Sequence, residues 1–306
     1  MVDNFQVRTD LALEVRESLE ASDEDIRGIR VEEYQLEEED IHVTKVMIDT
    51  KNAAKILGKP VGCYVTIEAP MMTEPDDNNH PEISEVIAKE LIELLPERQA
   101  EKSILIVGLG NRAVTADSLG PCVTDNLLIT RHIVKQYGNA AYNKDKMNLI
   151  SSLEPGVMAK TGMETAEIIK GVVEETRPDV LLVVDALAAR STKRLNKTIQ
   201  ITNTGIQPGS GVNNHRHELT KNTLNVPVIA IGVPTVVDAA TIVSDAFTRY
   251  HEGNDIQYLE RYESFYRHAF SELRDMYMTG KDIDAVIKRV SFTISEGINA
   301  ALELEE

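Results

Sequence analysis

The chain has 306 residues, 42% of them hydrophobic and 27% charged, the balance of a folded globular protein with a core of its own. Its 32 basic and 50 acidic residues leave a net charge of −18, which argues against direct binding to nucleic acid, where affinity comes from Lys and Arg displacing counterions. No apolar run approaches the roughly 20 residues of a membrane span, the acidic N-terminus lacks a secretory apolar region, and Cys63 and Cys122 are too few for a disulfide framework; a cytoplasmic protein, with no membrane partner, is expected.

The acidity is uneven. Residues 1–50 hold 15 acidic and 5 basic side chains, 5 − 15 = −10 of the total, with Glu37-Glu38-Glu39-Asp40 as the densest run. That run reads as a solvated face or as a mask over a basic surface elsewhere. The first forty residues form a polar lead-in with helical stretches such as Leu11 to Leu19. Residues 41–49 and 61–68 read as strands, and a loop follows with Pro70, Pro75, Asp76, Asp77, Asn78, Asn79 and Pro81 as breakers. Residues 82–95 have the spacing of an amphipathic helix.

From there the pattern becomes strand, loop, helix. Ser103–Val107 is a short continuous apolar run, the mark of a strand buried on both faces. A helix is expected from about Ser118 to Gln136, with Pro121 tolerated in its first turn. Met147–Leu153 reads as a strand and Thr161–Thr176 as a helix with Ala166, Ile169 and Val173 on one side. Val180–Val184 is a second buried strand, ending at Asp185. Lys197–Thr202 and Val226–Ile231 read as strands; helices are expected over about Val237–Tyr250 and most of the last fifty residues. This alternation predicts a three-layer α/β fold, a mainly parallel open sheet with helices on both faces, plus an N-terminal elaboration.

Two aspartates stand out by position. Asp117 and Asp185 each follow a buried strand on its carboxyl side, where open α/β sheets bind their ligands. Two carboxylates brought close there cannot both ionise easily, so the ionised member would activate a water while the protonated one polarises a scissile carbonyl. Each also has a plainer reading: Asp117 as a helix N-cap, Asp185 as a turn cap or partner of Arg190. Cys122 sits among apolar helix positions and reads as a buried thiol, with a Cys–His nucleophile as the alternative. Gly108-Leu109-Gly110-Asn111-Arg112-Ala113 fits a dinucleotide-binding fingerprint, but the acidic residue expected about 20 positions later is missing; the glycines otherwise serve a sharp turn. His215 and His217 lie in a Gly- and Asn-rich loop, suited to substrate binding, and with the two aspartates could make a metal site. Arg190, Lys193, Arg194 and Lys197 form a basic cluster just after Asp185, either a solvated turn or a pocket for an acidic substrate side chain.

These residues also carry a resemblance. Val7-Arg8-Thr9-Asp10-Leu11-Ala12, Gly108-Leu109-Gly110-Asn111 with Asp117-Ser118-Leu119-Gly120-Pro121, Val183-Val184-Asp185-Ala186-Leu187, Asn203-Thr204-Gly205-Ile206-Gln207-Pro208-Gly209-Ser210-Gly211, and Gly232-Val233-Pro234-Thr235-Val236-Val237-Asp238-Ala239 resemble, in order and over nearly the whole chain, the germination protease family of endospore-forming bacteria. The resemblance implies an atypical aspartic endopeptidase of the spore core that degrades small acid-soluble spore proteins, with Asp117 and Asp185 as its catalytic pair and no cofactor. It implies a core similar to that of the hydrogenase maturation proteases, whose acidic and histidine residues surround nickel; a metal-dependent hydrolase or maturation protease on that fold is the alternative function. It implies a homotetramer made as a self-cleaving zymogen, which cuts after an acidic residue that follows Thr and before a hydrophobic residue and Ala. Thr9-Asp10-Leu11-Ala12 matches that pattern, so residues 1–10 would be a short pro-segment, Asp10 and Leu11 the self-processing site, and 11–306 a single peptidase domain. Arg190, Lys193 and His215 would then contact substrate.

Overall fold

The computed structural model of the chain describes residues 9–20, 27–75, 80–96, 102–138, 148–207, 217–250, 273 and 276–303. Its frame is a nine-stranded sheet in the order β1-β2-β3-β7-β8-β6-β4-β5, with β9 paired to β8. The strands are β1 (Ile29–Leu36), β2 (Ile41–Ile48), β3 (Gly62–Glu68), β4 (Ser103–Gly108), β5 (Leu149–Leu153), β6 (Val180–Ala189), β7 (Thr198–Thr202), β8 (Val228–Asp238) and β9 (Tyr277–Met278).

The sheet has two halves. β8, β6, β4 and β5 run parallel, whereas β1, β2, β3, β7 and β8 are joined by antiparallel ladders, as is β9. The expectation of a mainly parallel sheet therefore needs correction. The continuous apolar runs of β4 and β6 are parallel strands covered on both faces, and β1 and β2 are joined by a short turn that permits only antiparallel pairing. β1 escaped notice because Glu32 and Glu33 sit in an exposed edge strand, the kind of edge that charges protect from further pairing.

Helices cover both faces, as expected. On one face α3 (His80–Leu94) and the last helix, α10 (Ile283–Leu302), pack together; Ile83, Ile87 and Leu91 meet Val290, Ile294 and Ile298 over Ile104, Leu182, Ile199 and Ile231. α4 (Leu119–Thr124) completes that layer through Leu119 and Val123. On the other face α7 (Thr165–Thr176) places Ile169 and Val173 on Leu105, Val107, Leu181 and Val183. Farther along that face α1 (Ala12–Glu20) and α2 (Lys51–Leu57) cover the antiparallel half, where Ala12, Ala53 and Leu57 pack on Val46, Ile48 and Tyr64.

Several elements differ from the reading of the sequence: α2 and β9 were not expected, β8 runs on to Asp238 past the expected end at Ile231, and the helix expected over Thr161–Thr176 begins only at Thr165. The helix expected over 118–136 is two helices, α4 and α5 (Arg131–Tyr137). Between them Asn299 of α10 donates to the Asn126 carbonyl at 3.0 Å and accepts from the Leu128 N–H at 2.9 Å, so a tertiary partner satisfies the backbone groups that a continuous helix would have paired. β6 does not stop at Asp185 but runs four residues further, to Ala189. The remaining helices are α6 (Met158–Thr161), α8 (Lys221–Leu224) and α9 (Ala239–Tyr250).

Candidate active site

The site is built where β4 and β6 leave the parallel half of the sheet. β4 ends at Gly108, and the next residue, Leu109, donates its N–H to the Val184 carbonyl at 2.8 Å. Gly110 then takes φ +118, a conformation that side chains strongly disfavour. The turn so formed is closed by the Asn111 N–H donating to the Asp117 carbonyl at 2.8 Å. Residues Thr115–Asp117 form a 3-10 turn before α4, packed against β6, β8 and α10. Thr235 of β8 donates its hydroxyl to the Ala116 carbonyl at 2.5 Å, and the Thr115 hydroxyl donates to Asp284 of α10 at 2.7 Å. Arg112 anchors the loop from outside, reaching Asp125, Glu154 and the Pro121 carbonyl; those carboxylates raise its pKa further. The glycine pattern thus serves a loop that fixes Asp117, and no helix opens directly after it as a dinucleotide site requires.

Asp185 lies in β6, 6% exposed, and its Oδ1 accepts from the Ala186 N–H at 2.9 Å. It pairs in register with Gly232 of β8, and Gly232 with Gln200 of β7. Residues in one such row project from the same face, so Asp185 and Gln200 share a face across a strand that carries no side chain at that position. Asp117 and Asp185 therefore both border the junction of β4, β6 and β8.

Next to this row lies the segment Thr9–Ala12. Between Leu187 and Ala188 the β6–β8 register shifts: Pro234 has no N–H to give the ladder, and Thr235 bulges. Bulges of this kind often adjoin functional sites. Ala188 binds Asp10 instead: the Asp10 N–H donates to the Ala188 carbonyl at 3.0 Å, and the Ala188 N–H donates to Asp10 Oδ2 at 2.9 Å. The Asp10 carbonyl oxygen accepts from Lys59 Nζ at 2.9 Å and from Gln200 Nε2 at 3.2 Å, while Gln200 Oε1 accepts from the Ala12 N–H at 2.7 Å. Leu11 is fully buried against Leu187, Ala189 and Val237. Burial holds the Lys59 ammonium below the usual lysine range, with the charges of Asp10 and Glu14 resisting the shift.

Glu14 ties this segment to the loop after β6. Its carboxylate is 3% exposed and accepts from the Arg190 N–H at 2.8 Å and the Ser191 N–H at 3.0 Å. It also takes the Thr9 hydroxyl and faces Arg194 at 3.6 Å. Replacing it by Ala leaves two backbone donors without their acceptor. Glu14→Ala is expected to cost about 2–4 kcal/mol, read as a lower denaturation midpoint at unchanged m-value.

Of the other candidates, Lys193 is exposed on a 3-10 turn spanning Thr192–Arg194, and Arg190 is half-buried. Arg194 is the most engaged of the basic cluster, bonded to Glu17 and Glu68. His215 lies outside the described residues, and His217 is exposed. Among the described residues no group of three or more His, Cys, Asp or Glu side chains is arranged to hold a metal. Cys63 and Cys122 are both free, and burial pushes the Cys63 thiol up, away from a reactive thiolate. No described helix is long and apolar enough to cross a membrane. Lys59, Gln200 and Glu14 were not foreseen. The alternation in Thr198–Thr202 marks Gln200 as a polar strand residue, but only the register shows what it faces.

Comparison with known proteins bears directly on this site. The family model described as germination protease matches residues 7–270, a span that holds Asp117, Asp185 and the segment Thr9–Ala12. A germination protease of Clostridium perfringens is 43% identical over 98% of this chain and 96% of its own length. One from Caldanaerobacter subterraneus is 42% identical over 97% and 94%, and one from Bacillus mycoides is 45% identical over 83% and 70%.

Proposed function

The chain belongs to the germination protease family, which makes it a peptidase, and from that premise we propose that it is an aspartate-dependent endopeptidase whose catalytic pair is Asp117 and Asp185. The observation that carries this reading is the docking of Thr9-Asp10-Leu11-Ala12 beside β6. The peptide pairs with Ala188, three residues or about 10 Å along the strand from Asp185, and its Asp10 carbonyl is held by Gln200, on the same face as Asp185. A chain that cuts itself has to present its own peptide to its own site in this manner. The ionised carboxylate takes a proton from water as the water attacks, and its protonated partner supplies one to the reacting bond.

The docked segment also rationalises the preferred sequence. The acidic side chain meets the Ala188 N–H, the following hydrophobic residue fills the pocket of Leu187, Ala189 and Val237, and the small residue after it fits against Val46 and Tyr64. On this reading residues 1–10 are a pro-segment, 11–306 a single peptidase domain, and small acid-soluble proteins of the spore core are the substrates in trans. The working form is a homotetramer, and Arg190, Lys193 and His215 contact substrate.

Intact-mass analysis of the purified full chain over time is expected to show loss of residues 1–10 and a new N-terminus at Leu11; a different terminus would reject the assignment. EDTA is expected to leave the cleavage rate of a small acid-soluble spore protein unchanged. Inhibition restored by a divalent ion would favour the metal-dependent hydrolase instead.

A further inference from the structure

Lys59 and Gln200 stand out because both reach one backbone atom. A peptide carbonyl oxygen has two lone pairs, and at Asp10 both are occupied, by Lys59 Nζ at 2.9 Å and Gln200 Nε2 at 3.2 Å. These donors are not local: Lys59 follows α2, Gln200 sits in the interior of β7 and is 7% exposed. Gln200 grips both sides of the Asp10–Leu11 bond, since its Oε1 also accepts from the Ala12 N–H. Lys59 is half-buried, and an ammonium shielded in this way loses hydration, a cost that a merely structural clamp could avoid with a neutral donor. Where negative charge develops on the oxygen, the same shielded ammonium becomes an asset, because preorganised donors stabilise an oxyanion strongly.

We propose that Lys59 and Gln200 are catalytic residues that bind the oxyanion formed when the Asp10–Leu11 bond is cut, an inference resting on the self-processing reading above. The step is a hydrolysis. The water oxygen bonds to the Asp10 carbonyl carbon, and a water proton passes to the ionised carboxylate of the aspartate pair. The carbonyl π electrons move to the oxygen, which Lys59 and Gln200 hold. The electrons return as the carbon–nitrogen bond breaks, and the leaving nitrogen of Leu11 takes a proton from the pair's protonated carboxyl. The products are the Asp10 α-carboxyl and the Leu11 amine, with one water consumed. The protonated carboxyl is thereby moved from polarising the carbonyl to protonating the amine.

Lys59 donates fully only while protonated. Its pKa lies below the ordinary lysine value, so self-processing should decline as pH rises through that lowered value. The test follows the rate of self-processing of the full chain by intact mass across pH, for the parent, Lys59→Met, Lys59→Arg and Gln200→Met, with each variant's thermal unfolding measured alongside. The expected result is a loss of about 10²–10³-fold in Lys59→Met and a similar loss in Gln200→Met. Lys59→Arg should keep part of the rate and lose the alkaline decline, because a guanidinium stays charged; a clamp that only holds the segment would not move the pH profile. The inference is overturned if Lys59→Met and Gln200→Met both cut at Leu11 at the parental rate, or if the alkaline limb is the same in Lys59→Arg as in the parent. A parental cut at some other bond would instead overturn the self-processing reading, and this inference with it.

Discussion

Asp185→Asn and Asp117→Asn are each expected to lower the rate of peptide-bond cleavage by at least 10²–10⁴-fold, the range that positioned acid–base groups supply. Asparagine keeps the shape of aspartate but cannot take a proton from water or give one back. The double variant should be little worse than either single, because residues that act as a unit are not additive. The plainer roles predict something else. A helix cap would cost only about 1 kcal/mol when lost and leave turnover largely intact, and the cap position of α4 is in any case Ser118, not Asp117. Asp185→Asn keeps the bond that Asp185 Oδ1 accepts from the Ala186 N–H, since an asparagine Oδ1 accepts it as well, and thermal unfolding of both variants separates lost chemistry from lost fold.

Gly120→Ala is expected to be among the most destabilising single-methyl substitutions in the chain. A Cβ at Gly120 would lie 2.4 Å from the Leu109 carbonyl oxygen, 2.5 Å from the Leu109 nitrogen and 2.6 Å from the Val184 carbonyl oxygen. All three are backbone atoms, and the Leu109–Val184 hydrogen bond fixes two of them at 2.8 Å. Relief requires α4 to move away from the β4–β6 junction, which carries the turn bearing Asp117. The cost should be about 3 kcal/mol or more, roughly 5 °C of melting temperature at this chain's size, with a loss of turnover beyond the loss of folded protein. Gly171 is the control: it lies in α7, exposed, with nothing within 4 Å of its would-be Cβ. Gly171→Ala should stabilise by about 0.5–1 kcal/mol.

Much of this was legible in the sequence where local pattern and burial agree. The runs at Ile41, Gly62 and Ser103 became strands within a residue of their expected bounds, and the run at Val180 began where expected but carried on past Asp185. What escaped depended on long-range pairing. β1 is an edge whose charges hide its alternation. The break after α4 depends on Asn299, more than 170 residues away. β6 continues past Asp185 because β8, Asp10 and Glu14 satisfy its outer end, and nothing local to residues 186–189 announces that. Lys59 and Gln200 converge on Asp10 across separations of 49 and 190 residues, which no spacing rule can read. The basic cluster was visible as charge, but the pattern did not distinguish Arg194, held by Glu17 and Glu68, from the exposed Lys193.

The central claim is that this chain hydrolyses its own Asp10–Leu11 bond with Asp185 in the catalytic pair. The most direct measurement is an intact-mass time course of the purified full chain, parent beside Asp185→Asn, under identical conditions. The account predicts that the parent converts to a species beginning at Leu11 while the variant stays unprocessed with its fold intact. Processing of the variant at the parental rate would contradict it.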